Sequence, residues 1–305
     1  MCKSLFDINP LRKTLIFHIG ANAGFYSEFN NMILAILYCY KNDINFKIYS
    51  KDANFGYKNG WTDFFMPFCE EVKNSFHSVF NFRQPSRYAV YNYRFKLFDV
   101  IKPLYHFDYY TYELWNQFHN RNFKKERFFI DGVDMDIHDA SGYVISKVWR
   151  YNEVVQKIID EEVNKVGLPD RYVGLHIRRG DKFIEHGEEE IEKYIMKLGQ
   201  KTDIKDCFVY TDSYEVIEKI RSTYSQYNLF TLVDKNEHGY YHKEFLKKDP
   251  EFKRTALLKM FASIDILSRA EYTVGTFSTN PGMFLGMRMA KGKMIGVDYD
   301  SWMIW

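Results

Sequence analysis

The sequence predicts an α/β protein built on parallel sheets, and three observations carry that expectation. Short β-branched or aromatic runs alternate with helix-period segments from residue 172 to 297, the pattern of a doubly wound sheet. Residues 15–49 read as strand, glycine loop, helix and strand, the order of a βαβ unit. Three predicted strands also end in polar bursts, at 176–182, 211–213 and 276–280, where open α/β sheets bind ligands.

In order, Leu15-Ile16-Phe17-His18-Ile19 is the first strand and residues 20–26 the glycine-containing loop. Phe29, Met32, Ile33, Ile36, Leu37 and Tyr40 recur at spacings of three and four, which predicts a helix over 27–42 with Ser27 as its cap. Phe46-Lys47-Ile48-Tyr49 is the next strand. A glycine loop before a helix can hold phosphate on its backbone N–H groups, but this spacing is neither a dinucleotide fingerprint nor a Walker loop. Trp61 reads as a core anchor ahead of a ligand platform. Residues 84–150 are crowded with aromatics and least legible, with helical pieces around 112–120. Asp134-Met135-Asp136 has the carboxylate spacing used to hold a divalent ion, and equally the look of an ordinary acidic loop.

A helix over 154–166 leads through Gly167-Leu168-Pro169-Asp170 into the strand Tyr172-Val173-Gly174-Leu175-His176-Ile177. Helices carrying Ile191, Ile195 and Leu198, then Val216, Ile217 and Ile220, bracket a strand at 207–210; another strand is expected at 229–233. A helix over 252–269, a strand at 272–275, a methionine-rich helix and a strand at 294–297 close the pattern. The burst after residue 175 is the strongest candidate site. Arg178 and Arg179 can bind an anion through charge-assisted, bidentate hydrogen bonds, Gly180 permits the turn, and Asp181 can fix a guanidinium.

Size and composition narrow the function. At 305 residues with 46% hydrophobic content, the chain has material for two domains, with a boundary near residue 150. A formal net charge of +2 with dispersed lysines argues against a nucleic-acid partner. Four scattered cysteines form no metal-ligand spacing and fit a reducing compartment. Without a run long enough for a membrane span or a signal-peptide core, a soluble, cytoplasmic protein is expected. The 24 Tyr and 27 Phe include potential stacking surface for sugars or bases.

His176-x-Arg178-Arg179-x-Asp181-Lys182, followed by Tyr210-Thr211-Asp212 and Thr276-Phe277-Ser278-Thr279, resembles the α1,2-, α1,6- and protein O-fucosyltransferase superfamily. The α1,6 branch fits best, through the glycine loop and aromatic helix at residues 24–40 and the Gly-Trp-x-x-x-Phe-x-Pro segment at 60–67. The resemblance covers roughly residues 20–297 and implies a GT-B glycosyltransferase of two Rossmann-like domains facing a cleft. Residues 1–150 would be the acceptor side and 151–305 the nucleotide-sugar domain. The implied partners are a nucleotide sugar, GDP-β-L-fucose, and an oligosaccharide acceptor; the implied chemistry is inverting, without metal or other cofactor. Departing diphosphate charge would be neutralised by Arg178, Arg179 and Lys182.

Carried over residue by residue, the donor would meet Gly24, His176, Arg178, Arg179, Asp181, Asp212, Asp265, Ser278 and Thr279. Asp212 has an equal reading as a helix N-cap. Two departures stand out. The family's general-base glutamate aligns with His186, with Glu185 one position earlier, so either is the candidate base beside Arg178 and Lys182. The family aspartate that reads guanine falls near Ser263, with Asp265 two residues late. Alternatives are a different donor or an α1,2 linkage, a metal-dependent transferase using Asp134 and Asp136, and a non-catalytic nucleotide-sugar or glycan-binding protein.

Overall fold

The computed structural model describes residues 5–21, 23–83, 99–180 and 189–304. The chain divides into two compact units, one running to Asn152 and one from Glu153 to Ile304. Both carry parallel sheets in an α/β arrangement.

In the N-terminal unit, β1 (Thr14–His18), β2 (Asn45–Tyr49) and β3 (Tyr109–Tyr110) form a parallel sheet in the order β2-β1-β3. Helix α1 (Phe25–Lys41) joins β1 to β2. It begins one turn before the expected cap: Gly24 is the N-cap, and Ser27 lies inside the helix. The cause is Glu28, whose buried carboxylate accepts from the Gly20 and Ala23 N–H groups at 3.3 and 3.1 Å and folds the loop back onto the helix start. Trp61 is 1% exposed and stacks on Phe65 at 4.5 Å, a core residue. After the short α2 (Phe76–Phe80) come α3 (Thr111–Phe118), the hairpin β4 (Phe128–Ile130) and β5 (Val133–Met135), and α4 (Ile137–Val148). β3 and the hairpin were not legible, because uniformly aromatic sequence hides the period of two. Asp131 and Gly132, both at positive φ, make the tight turn between β4 and β5.

The C-terminal unit opens with α5 (Glu153–Lys165) and β6 (Val173–Ile177). It continues through α6 (Ile191–Gly199), β7 (Asp206–Thr211), α7 (Tyr214–Thr223) and β8 (Asn228–Phe230). Next come α8 (His242–Phe245), α9 (Pro250–Arg269), β9 (Thr273–Gly275), α10 (Asn280–Arg288) and β10 (Met294–Gly296). The sheet is parallel throughout, in the order β10-β9-β6-β7-β8. This is a doubly wound order whose direction reverses between β6 and β9. Strict alternation builds both faces. Val173, Leu175 and Ile177 pack with α6 and α7, while Gly174 faces α9, where an added Cβ would lie 2.6 Å from Leu267 Cδ2. Burying each such aliphatic side chain contributes about 1.5–3 kcal/mol. β8 is shorter than expected: Thr231 instead bonds back to the Val209 carbonyl through its hydroxyl and ends the strand.

Candidate active site

β6 and β7 pair in register, which sets His176 beside Tyr210 on the α9 face. Their rings stack at 5.5 Å, and His176 is 2% exposed with no hydrogen-bond partner at Nδ1. Burial, reinforced by the Arg178 charge, pushes its pKa down to about 3, so the ring is neutral near pH 7. Beyond β6 the chain must turn at once. Gly180 does so at φ +63°, where a Cβ would meet the Tyr240 carbonyl oxygen at 2.4 Å and its nitrogen at 2.6 Å. Positive φ and backbone contact both require glycine there.

Asp212, immediately after β7, organises this turn. Its Oδ2 takes the Arg178 guanidinium and the Tyr240 N–H, the latter at 2.9 Å, while Oδ1 takes the Arg179 N–H at 2.7 Å. The cap reading of Asp212 is therefore corrected: Ser213 occupies the N-cap position of α7, and the Asp212 carboxylate turns toward the β6 loop. Arg178 is also covered by the Tyr240 ring, with the guanidinium carbon 4.6 Å from its centroid. Arg179 reaches the Glu189 carbonyl at 3.2 Å. An ion pair, two backbone bonds and a cation–π contact thus hold a half-buried cation in one pose.

The strap carrying Tyr240 escaped the sequence reading. Tyr214 N–H bonds the Glu237 carbonyl at 2.8 Å, Gly239 N–H bonds the Asp212 carbonyl at 2.6 Å, and Lys259 holds Asp234 and Glu237 at 2.5 Å each. A half-open pocket of about 600 Å³ adjoins it, lined by Arg179, Gly180, Ser213, Lys219, His238 and Tyr241. That volume is in the range of small-molecule and cofactor sites.

Across the reversal point lies the loop after β9. Thr279 is the N-cap of α10: its hydroxyl accepts from Gly282 N–H at 3.2 Å and donates to the Thr276 carbonyl at 2.9 Å. Phe277 and Ser278 donate their N–H groups to the Asp298 carboxylate, each at 2.8 Å. Asp298 follows the last strand, and its place at a strand end was the available signal. Thr279 thereby acts through the loop it shapes, leaving Ser278 as this loop's candidate ligand residue.

Other expected residues fall elsewhere. Asp265 is 2% exposed and ion-paired to Arg288, tying α9 to α10. Gly24 belongs to the N-terminal unit as the cap of α1. Its loop offers the Gly20 and Ala23 N–H groups to the Glu28 carboxylate. Asp134 pairs with Arg127 at 2.8 Å, and Asp136 caps α4 by accepting from Asp139 N–H at 3.0 Å. Asp136, His138 and Asp139 bring their side-chain ligand atoms within 4.8 Å of one another, with only Asp139 exposed. Asp181, Lys182, Glu185 and His186 lie outside the described residues.

A family model for α-(1,6)-fucosyltransferase N- and catalytic domains matches residues 135–281. Among curated protein sequences, none matches the chain. Solved structures share its fold. The fucosyltransferase NodZ, from Bradyrhizobium, in a crystal soaked with GDP-fucose is 12% identical over 91% of this chain and 93% of that one, with a TM-score of 0.54. POFUT1 in complex with GDP is 10% identical over 94% and 98%, with a TM-score of 0.52. FUT1 of Arabidopsis thaliana, in complex with GDP, is 11% identical over 95% and 73%, with a TM-score of 0.50. A parallel α/β fold with fixed arginines at a sheet's reversal point, together with the family match, makes this chain a glycosyltransferase. Over residues 135–281 it is similar to the α-(1,6)-fucosyltransferases, and its fold is that of the solved fucosyltransferases.

Proposed function

We propose that the chain transfers L-fucose from GDP-β-L-fucose to a glycan hydroxyl, with O6 of N-acetylglucosamine as acceptor, by an inverting reaction that needs no metal. The observation that carries this is Arg178, held at the carboxyl end of β6 by Asp212 and Tyr240. Glycosyl transfer builds positive charge on the sugar and negative charge on the departing diphosphate. A preorganised guanidinium stabilises the latter without reorganising during the reaction. In this reading the two units are the Rossmann-like halves of a GT-B enzyme, with the donor in the C-terminal one. The related NodZ and POFUT1 structures contain GDP-fucose or GDP, which supports the donor assignment.

Arg179 and Lys182 complete the cationic loop, Asp181 orients the cations, and Glu185 or His186 serves as the base that deprotonates the acceptor. Ser278 supplies a hydroxyl toward the diphosphate and His176 a neutral ring toward the nucleoside. A thermal-shift screen of nucleotide sugars, followed by mass spectrometry of chitotetraose incubated with GDP-fucose and a chelator, tests the assignment. A mass gain of one fucose that survives chelation is expected. A preference for another donor, or activity lost with the chelator, would overturn the corresponding part. Glu185→Gln should retain donor binding and lose turnover; loss confined to His186→Ala would move the base to that residue.

A further inference from the structure

His18 ends β1 with 3% exposure, and both ring nitrogens face acceptors. Nδ1 lies 2.9 Å from the Asn81 carbonyl and Nε2 lies 3.0 Å from Asp52 Oδ1. A neutral imidazole carries a single N–H, so both contacts are hydrogen bonds when the pair holds a second proton. Its partner is not buried with it: the Asp52 side chain is 39% exposed. Partial burial works to raise the Asp52 carboxyl, but the hydrogen bond and charge of His18, aided by Ser78, outweigh it and hold the pKa below the usual carboxylate value. Tyr49 hydroxyl, 2.7 Å from Ser78 Oγ, borders the same group.

The position of this pair is that of a ligand site. β1 is the middle strand of β2-β1-β3, so its carboxyl end is where the N-terminal sheet reverses direction. The backing is rigid. His18 N–H donates to Thr111 Oγ1 at 2.7 Å, and the Asn81 amide bridges the Ile16 carbonyl and the Thr111 N–H at 2.8 and 2.7 Å. What this framework presents outward is the half-exposed Asp52 carboxylate, held from behind by a buried imidazole.

We propose that Asp52 is a hydroxyl-recognition residue of the acceptor sugar site in the N-terminal unit, with His18 as its positioning residue. The inference rests on the glycosyl-transfer reading and adds the acceptor side to it. Sugar hydroxyls donate charge-assisted hydrogen bonds to carboxylates, and a carboxylate kept ionised by its neighbour accepts them over a wide pH range. An anionic ligand would be repelled there, which selects a neutral, hydroxyl-rich oligosaccharide.

The test uses the full chain, GDP-fucose and chitotetraose. Asp52→Asn should raise KM for chitotetraose about tenfold or more, the worth of one charge-assisted hydrogen bond, and leave GDP-fucose binding unchanged. An unchanged KM in the folded variant overturns the proposal. His18→Gln removes the depression of the Asp52 carboxyl, so the acidic limb of the KM profile should move to higher pH. Among the described residues, the titratable groups facing that carboxylate are His18 and Tyr49, with His77 behind His18. An unmoved limb overturns the part given to His18. Should Asp52→Asn fail to fold, carbodiimide amidation of wild-type Asp52, read by peptide mass spectrometry, decides: protection by chitotetraose supports the site, and equal labelling overturns it. Failure of the wild type to bind GDP-fucose would defeat the donor reading instead, and the amidation result does not depend on it.

Discussion

The two units repeat one device and put it to opposite electrostatic use. In each, the carboxylate just past a second parallel strand reaches back to a basic side chain at the end of the first, 34 residues earlier: Asp52 to His18, and Asp212 to Arg178. In the N-terminal unit the imidazole is buried and the carboxylate faces outward. In the C-terminal unit the arginine is 19% exposed, and the carboxylate, at 11%, is the more enclosed partner. One βαβ crossover therefore presents a hydrogen-bond acceptor in one place and a fixed cation in the other. The glycine loop sharpens the contrast. The loop after β1 is sealed by Glu28, which is 0% exposed and bonded by Arg83 at 3.3 Å, whereas the loop after β6 is lined by arginines.

Four perturbations would break or sharpen that contrast. The largest expected effect is Glu28→Ala, which leaves the Gly20 and Ala23 amides and the Arg83 cation without their carboxylate. It should cost about 3–5 kcal/mol, as when one partner of a buried ion pair is removed, with urea unfolding as the measurement. An unchanged midpoint would mean that the loop does not depend on its internal anion. Arg178→Ala should leave the fold intact and lower fucosyl transfer about 10²–10³-fold, the scale of removing one transition-state donor. Near-wild-type turnover would end the case for this cation at the leaving group.

Tyr240→Leu keeps the Asp212 bond to the residue 240 backbone and removes the ring over Arg178. The cation–π contact is worth about 0.5–2 kcal/mol, so a drop in kcat of about twofold to thirtyfold is expected. Donor affinity measured alongside tells whether the strap acts on binding or on turnover. The fourth concerns His77, 1% exposed, whose pKa burial drives down to about 3. Its folded-state pKa lies below the unfolded value near 6.5, so the unfolded chain binds the extra proton first. Stability is therefore full above about pH 6.5 and declines as pH falls toward 3. His77→Phe should flatten that slope in thermal melts between pH 7 and 4, at a cost of about 1 kcal/mol for the lost Asn81 contact.

Much of the fold was legible because its signals are local. Val173, Leu175 and Ile177 alternate with residues of the opposite face, and Phe29, Met32, Ile33 and Ile36 repeat at helical spacing, so strands and helices in both units emerge within a few residues of their observed ends. β3 and the β4–β5 hairpin were hidden where aromatics occupy both faces, although Asp131-Gly132 was a readable turn. Of the site, the arginines and the turn at Gly180 were visible, since a polar burst ending a buried strand has no place in a core. Tyr240 and Asp298 were not, being ordinary residues in irregular segments until the chain folds back.

The sequence by itself determined the parallel α/β plan, the phase of most elements and the position of the cationic loop. Tertiary structure decided which charge answers which. Asp212 became an anchor for Arg178, Asp265 became a tie to Arg288, and Glu28 took up the Gly20 and Ala23 amides of the glycine loop. The physical reason is range. Periodicity is fixed over a few residues by backbone geometry, whereas an ion pair forms between groups that a whole crossover brings together, and nothing in the local pattern of either partner records the other.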